Sequence, residues 1–215
     1  MFVIGLTGGI GTGKSHVAMV LGDLGADVIE ADRLGHEVYR PQTDGWREVV
    51  ETFGPEVLTP HGEVDRRKLG AVVFGDAEAL GRLNAITHPR IRRMIQERIG
   101  RLGEMGREVV VVEAALLLEA GWRPLVDEVW VTVAAGQRVV RRLRDRNDLS
   151  EKAVLERVRA QMPQDERARA ADVIIENDGS LEDLRGQVEA LWGARVLRRK
   201  RSRDRDDDTQ KDAIP

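Results

Sequence analysis

Gly8-Gly9-Ile10-Gly11-Thr12-Gly13-Lys14-Ser15 is the stretch of this chain whose residue types and spacing most directly imply chemistry. It satisfies G-x-x-x-x-G-K-[ST], the pattern of a loop that cradles the phosphates of a nucleoside triphosphate. A triphosphate concentrates several negative charges in a small volume. Glycines let successive backbone N–H groups turn inward around such an anion. A helix starting at the end of the loop adds free N–H donors and a positive dipole end. On this reading Gly8, Gly9, Gly11, Thr12, Gly13, Lys14, Ser15 and His16 form a nucleoside triphosphate site. Lys14 brings a mobile cation to the β- and γ-phosphates, and the Ser15 hydroxyl is placed to ligate a bridging Mg²⁺. A dinucleotide fingerprint begins at Gly9-x-Gly11 but fails, because its third glycine would fall at Lys14.

Carboxylates, arginines and a histidine elsewhere complete the set of reactive candidates. Asp32 follows an apolar run, where a carboxylate can orient an acceptor hydroxyl and take its proton. It suits a helix N-cap equally well. Glu30 shares the ambiguity. Glu113 ends Val109-Val110-Val111-Val112, where it either holds Mg²⁺ through water, positions substrate or terminates a strand. Glu119 is as readily an exposed helix-end charge. Arg142 and Arg146 recur four residues apart, so they line one face of a helix. That face is either a lid that meets the transferring phosphoryl group or a solvated basic surface. His88 precedes Pro89, which predicts a helix break there. The histidine then either contacts an anionic acceptor or occupies a turn.

The elements that must position these groups are legible in outline. Apolar runs at Phe2–Leu6, Ala26–Ile29, Val109–Val112, Val129–Val133 and Val173–Ile175 predict five buried parallel strands, separated by charged helical patterns. The implied fold is α/β, a P-loop NTPase-type three-layer α/β/α arrangement on a five-stranded parallel sheet. Core segments 1–39, 106–135 and 171–193 enclose a helical acceptor-binding insertion at about 40–105 and a helical lid at about 136–170, all within one domain, 1–193. The last helix is predicted over Leu181–Trp192, with Ser180 as its N-cap. After Gly193 the composition turns first basic and then acidic, which predicts a disordered charged tail over 194–215.

Composition narrows the function classes. In 215 residues, aromatics at 4% and a formal net charge of −3 argue against a stacking or basic nucleic-acid surface. The chain has no cysteine, so thiol catalysis and cysteine-ligated metals are excluded. No apolar run approaches the ~20 residues that span a bilayer, and cleavage of an N-terminal signal would destroy the loop. A cytoplasmic protein without nucleic-acid or membrane partners is expected, as a monomer or weak homo-oligomer. The guanine motifs N-K-x-D and T-K-x-D are absent, as is L-S-G-G-Q, which disfavours a GTPase switch or a transporter-type ATPase.

Taken together, the motifs resemble the dephospho-CoA kinase family over roughly residues 2–192. The resemblance rests on Leu6–Ser15, Ala31-Asp32, Val64-Asp65-Arg66-Arg67-Lys68-Leu69 with Phe74, and Thr87-His88-Pro89. It continues through Leu116-Leu117-Leu118-Glu119-Ala120-Gly121, Asp127-Glu128-Val129, Arg142-x-x-x-Arg146, Ala160-Gln161 and Ala171-Asp172-Val173-Ile174 leading to Asn177. It implies phosphorylation of the ribose 3′-hydroxyl of dephospho-CoA by ATP with Mg²⁺. It implies Asp32 as the acceptor-side base, Arg142 or Arg146 as lid arginines and Asn177 near the adenine. Arg66, His88 and Glu113 are expected on the acceptor side. Four positions depart from the family pattern: His16 stands where Thr is usual, Glu30 replaces the first acid of D-A-D, and Ala115 and Leu118 replace a Pro and a Phe.

Overall fold

A computed structural model describes residues 1–73, 75–147, 158 and 161–199, with only the backbone of Arg146 and Asn147. Five strands, β1 (Phe2–Gly8), β2 (Asp27–Glu30), β3 (Val109–Glu113), β4 (Glu128–Val133) and β5 (Val173–Glu176), form one sheet in the order β2-β3-β1-β4-β5. The β1–β3, β1–β4 and β4–β5 pairs are parallel. Each strand lies within a residue or two of its sequence-predicted place. Central β1 is buried at every position, as a strand covered on both faces must be, hence its unbroken apolar run.

The chain divides into two compact units, Met1–Val28 with Leu102–Pro215, and Ile29–Arg101. In the first, helices α1 (Lys14–Asp23) and α8 (Leu181–Leu191) cover one face of the sheet. Ile4, Leu6, Trp130 and Ile175 meet Val17, Val20 and Leu21 of α1 and Leu184 and Val188 of α8. Each such aliphatic side chain contributes roughly 1.5–3 kcal/mol on full burial. Ser180 caps α8 in a reciprocal box with Asp183, as its position in the sequence predicts. Helices α6 (Gly136–Asn147) and α7 (Gln164–Arg169) complete the described part of this unit.

The last helix does not stop at Trp192. A wider π-type turn, Trp192–Leu197, carries it on to Arg199. Val196 is buried, and the Arg199 guanidinium lies 4.4 Å from the Phe2 ring centroid. Residues 194–199, which composition assigned to the tail, are therefore helical, because one buried valine and a cation–π contact suffice to hold the extra turn. Residues 200–215 of the expected tail, like 148–157 and 159–160 of the expected lid, lie outside the described residues.

The second unit is built from α2 (Ala31–Val38), α3 (Asp44–Phe53), α4 (Arg66–Val73) and most of α5 (Ala77–Glu104). Val49, Val57, Leu69, Val73, Ala79 and Ile86 form its core. The predicted break at His88-Pro89 does not occur: Pro89 lies inside the 28-residue α5. The missing N–H frees the Ala85 carbonyl, and side chains on either side of the proline bond other carbonyls of the same stretch. Thr87 Oγ1 donates to Leu83 O at 2.9 Å, and Arg90 Nη1 donates to Ile86 O at 2.7 Å. Arg90 is itself held by Glu48 at 2.6 Å, and Ile86, Ile91 and Ile95 stay buried along the helix. Tertiary packing thus overrides the local preference of the residue before proline. Among the described residues no helix is long and apolar enough to cross a membrane.

Candidate active site

The phosphate loop leaves the carboxyl end of β1, the central strand, and ends in α1. Gly13 is the N-cap of α1 and has φ 96°, a left-handed conformation that penalises a side chain. Any Cβ there would also collide with the Asn177 amide, and one on Gly8 would collide with the Thr132 hydroxyl. At Gly11 the loop is covered by Val139 and Leu143 of α6.

The buried polar residues of the first unit gather at this edge of the sheet: Thr7, Thr12, Glu113, Thr132, Arg167 and Asn177. Glu113 ends β3, and its Oε1 accepts from Lys14 Nζ and from Ser15 Oγ, each at 2.8 Å. One carboxylate oxygen therefore joins the loop's cation to its hydroxyl. Thr12 Oγ1 donates to Gly9 O at 2.8 Å and shares a 2.7 Å bond with Thr132 Oγ1. Asn177 Nδ2 donates to Thr12 O at 2.8 Å, while Arg142 Nη2 donates to Asn177 O and Oδ1 at 3.0 and 3.1 Å. Arg142 Nη1 reaches Gly11 O at 3.4 Å. Gln161 Oε1 accepts the Ile10 N–H at 2.8 Å. Beside the loop is a cavity of about 550 Å³, whose lining includes Gly9, Ile10, Thr12, Gln161 and Arg167.

Several sequence candidates therefore converge in the first unit: Gly8, Gly9, Gly11, Thr12, Gly13, Lys14, Ser15, Glu113, Arg142 and Asn177. His16 lies in the first turn of α1, half-buried. Both ends of the Asn177 amide are engaged by protein groups. The backbone of Arg146 continues α6, and its side chain lies outside the described residues. Thr132 and Arg167 were not singled out by sequence. A polar residue near the carboxyl end of the apolar β4 is a signal for Thr132. Arg167 sits in Gln164-Asp165-Glu166-Arg167, where nothing but burial distinguishes it.

The remaining candidates belong to the second unit. Glu30 is the N-cap of α2 and pairs with Arg33 at 2.8 Å, so Asp32 is not the cap but an exposed residue of the first turn. The pKa of His36 is lowered, first by desolvation and then by the Arg66 guanidinium, while the Asp32 carboxylate opposes both. Asp32 and Arg66 thus each lie close enough to His36 to act on its charge. Arg66 opens α4, exposed, behind the N-cap Asp65, whose Oδ1 accepts from Arg67 N and Lys68 N. His88 is half-buried within α5, and burial pushes its pKa down.

A parallel α/β sheet whose central strand feeds a glycine-rich loop closed by Lys, Ser and an acidic partner defines a P-loop nucleoside triphosphate-binding protein. The family model described as dephospho-CoA kinase matches residues 2–183. Dephospho-CoA kinase from Geobacter sulfurreducens is 45% identical over 195 residues, covering 91% of this chain and 99% of that protein. The enzyme of that name from Moorella thermoacetica is 47% identical over 193 residues, covering 89% and 91%. The solved dephospho-CoA kinase from Campylobacter jejuni superposes with a TM-score of 0.66 at 28% identity, over 88% of this chain and 94% of that one. This chain belongs to the dephospho-CoA kinase family.

Proposed function

We propose that this chain transfers the γ-phosphoryl group of ATP to the ribose 3′-hydroxyl of dephospho-CoA, giving CoA in the last step of its synthesis. The observation that carries the reading is a phosphate loop whose Lys14 and Ser15 both meet Glu113, in a chain of this family. The 3′-oxygen bonds to the γ-phosphorus, the bond from that phosphorus to the β,γ-bridging oxygen breaks, and ADP leaves. The hydroxyl proton goes to Asp32, an exposed carboxylate in the first turn of α2, two residues after β2.

Lys14 and the loop N–H groups hold the β- and γ-phosphates as charge shifts toward ADP. Glu113 orients Lys14 and Ser15. Arg142 or Arg146 acts as the lid arginine, and Asn177 braces the nucleotide side of the loop. Arg66 and His88 take the acceptor, Arg66 offering a planar cation to its phosphate groups.

Mg²⁺ is the proposed cofactor. Ser15 Oγ and Glu113 Oε1 are hard oxygen donors 2.8 Å apart. Among the described residues no group of three or more His, Asp or Glu side chains could cage a metal. Mg²⁺ commonly takes most of its shell from water and substrate phosphates, which this donor pair suits. When bound, it draws charge from the phosphate oxygens. The reading places the enzyme in the cytoplasm with its supply of ATP, as a monomer or weak homo-oligomer.

The test is ADP release from ATP with dephospho-CoA, adenosine, AMP or no acceptor, with CoA measured as product. Release that depends on dephospho-CoA and yields CoA supports the proposal. Stimulation by another acceptor, or by none, overturns it.

A further inference from the structure

Arg167, in the last turn of α7, has no task in the reaction described above. It is 1% exposed, a degree of burial that arginine rarely reaches unless paired. Its Nη2 donates to Glu119 Oε1 at 2.8 Å. Its Nε is buried with no hydrogen-bond partner among the described residues. A guanidinium carries five donors, and an orphaned buried donor is costly, so a purely structural role accounts poorly for this placement. Its Nη1 lies 3.4 Å from where a Cβ on Gly9 would stand, beside the first turn of the phosphate loop. Arg142, by contrast, spends its Nη groups on Gly11 O and Asn177.

The geometry points to Arg167 as a further phosphate-binding residue of this kinase: Glu119 fixes the guanidinium fork beside Gly9, where it meets the terminal phosphoryl group of ATP. Glu119 is then a positioning residue, acting through Arg167. The chemistry suits the place. A planar guanidinium binds phosphate oxygens bidentately, and a cation at the far end of the triphosphate complements Lys14 as charge spreads during transfer. The residue that sequence left as a plausible solvated helix-end charge, Glu119, thereby gains a role.

The inference rests on the ATP-loop reading, and the experiment separates the two. Binding of ADP and of a non-hydrolysable ATP analogue with Mg²⁺ is measured for wild type, Arg167→Met, Arg167→Lys and Glu119→Gln, alongside kcat and both KM values. Arg167→Met is expected to weaken the ATP analogue by about tenfold or more while ADP stays within about twofold, with kcat falling. Arg167→Lys keeps the charge and loses the fork, so it lies between, and it serves if the Met variant fails to fold. Glu119→Gln loses part of the same ATP-over-ADP preference. Equal weakening of ADP and the analogue, or unchanged binding of both, overturns the role of Arg167. If wild type binds neither nucleotide, the loop reading fails and this inference falls with it.

Discussion

Asn177 Nδ2 donates to the carbonyl oxygen of Thr12 at 2.8 Å, a bond that spans 165 residues of sequence. Asn177 is 3% exposed and also receives Arg142, so one amide ties the end of β5 to the phosphate loop and to α6. Asn177→Ala leaves Thr12 O without its donor in a buried place and reduces Arg142 Nη2 to the Asn177 backbone carbonyl. We expect a stability loss of about 1–3 kcal/mol. The KM for ATP should rise more than that for dephospho-CoA. Thermal unfolding and steady-state kinetics check this; equal rises in both KM values would mean the brace does not serve the loop.

Lys14→Ala removes the loop's cation and leaves Glu113 with Ser15 alone. Turnover is expected to fall by about 10²–10³-fold, the usual cost of losing a preorganised charge-stabilising donor. Near-normal ADP release by this variant would refute the assignment of the phosphate loop.

Glu113→Gln retains an oxygen for Ser15 and loses the charge opposite Lys14. The expected result is a higher Mg²⁺ concentration for half-maximal rate, with the fold intact by circular dichroism. An unchanged Mg²⁺ requirement would confine Glu113 to orienting Lys14.

Asp32→Asn keeps the shape of the α2 turn and removes the proton acceptor. We expect kcat to fall by about 10²–10⁴-fold with the Kd for ATP unchanged. Parallel losses in turnover and ATP affinity would mark the residue as structural.

The two perturbed histidines predict a pH effect on stability. Burial lowers the His88 pKa, and desolvation with Arg66 lowers that of His36. A histidine whose folded pKa lies below its unfolded value of about 6.5 binds its proton more readily in the unfolded chain. Stability should therefore be full above about pH 6.5 and decline as pH falls below it, until the folded pKa is passed. His88→Gln is expected to flatten that decline in urea titrations; a slope unchanged in the variant would show that His88 does not carry it.

The five strands and the phosphate loop were legible because their signals are local. A buried parallel strand must be apolar throughout, and a loop that wraps an anion needs Gly and Lys at set intervals. The Ser180 cap was readable for the same reason. Pro89 shows the limit: its local rule predicts a break, but α5 runs through it with Ile86, Ile91 and Ile95 buried on either side. By spacing alone Asp32 fits a cap or a base equally; the resemblance implies the base, and the structure puts Glu30 rather than Asp32 at the cap position.

By itself, then, the sequence determined the α/β class, the order of strands along the chain and the nucleotide loop, all written in short-range periodicity and glycine spacing. Tertiary structure alone decided which polar side chains lose contact with water and what they meet. Thr12 with Thr132, Asn177 with Arg142, and Arg167 with Glu119 are pairs drawn from distant segments. Burial makes such pairs matter, because an unmet polar group costs most away from water, and burial is a property of the folded whole that no window of sequence contains.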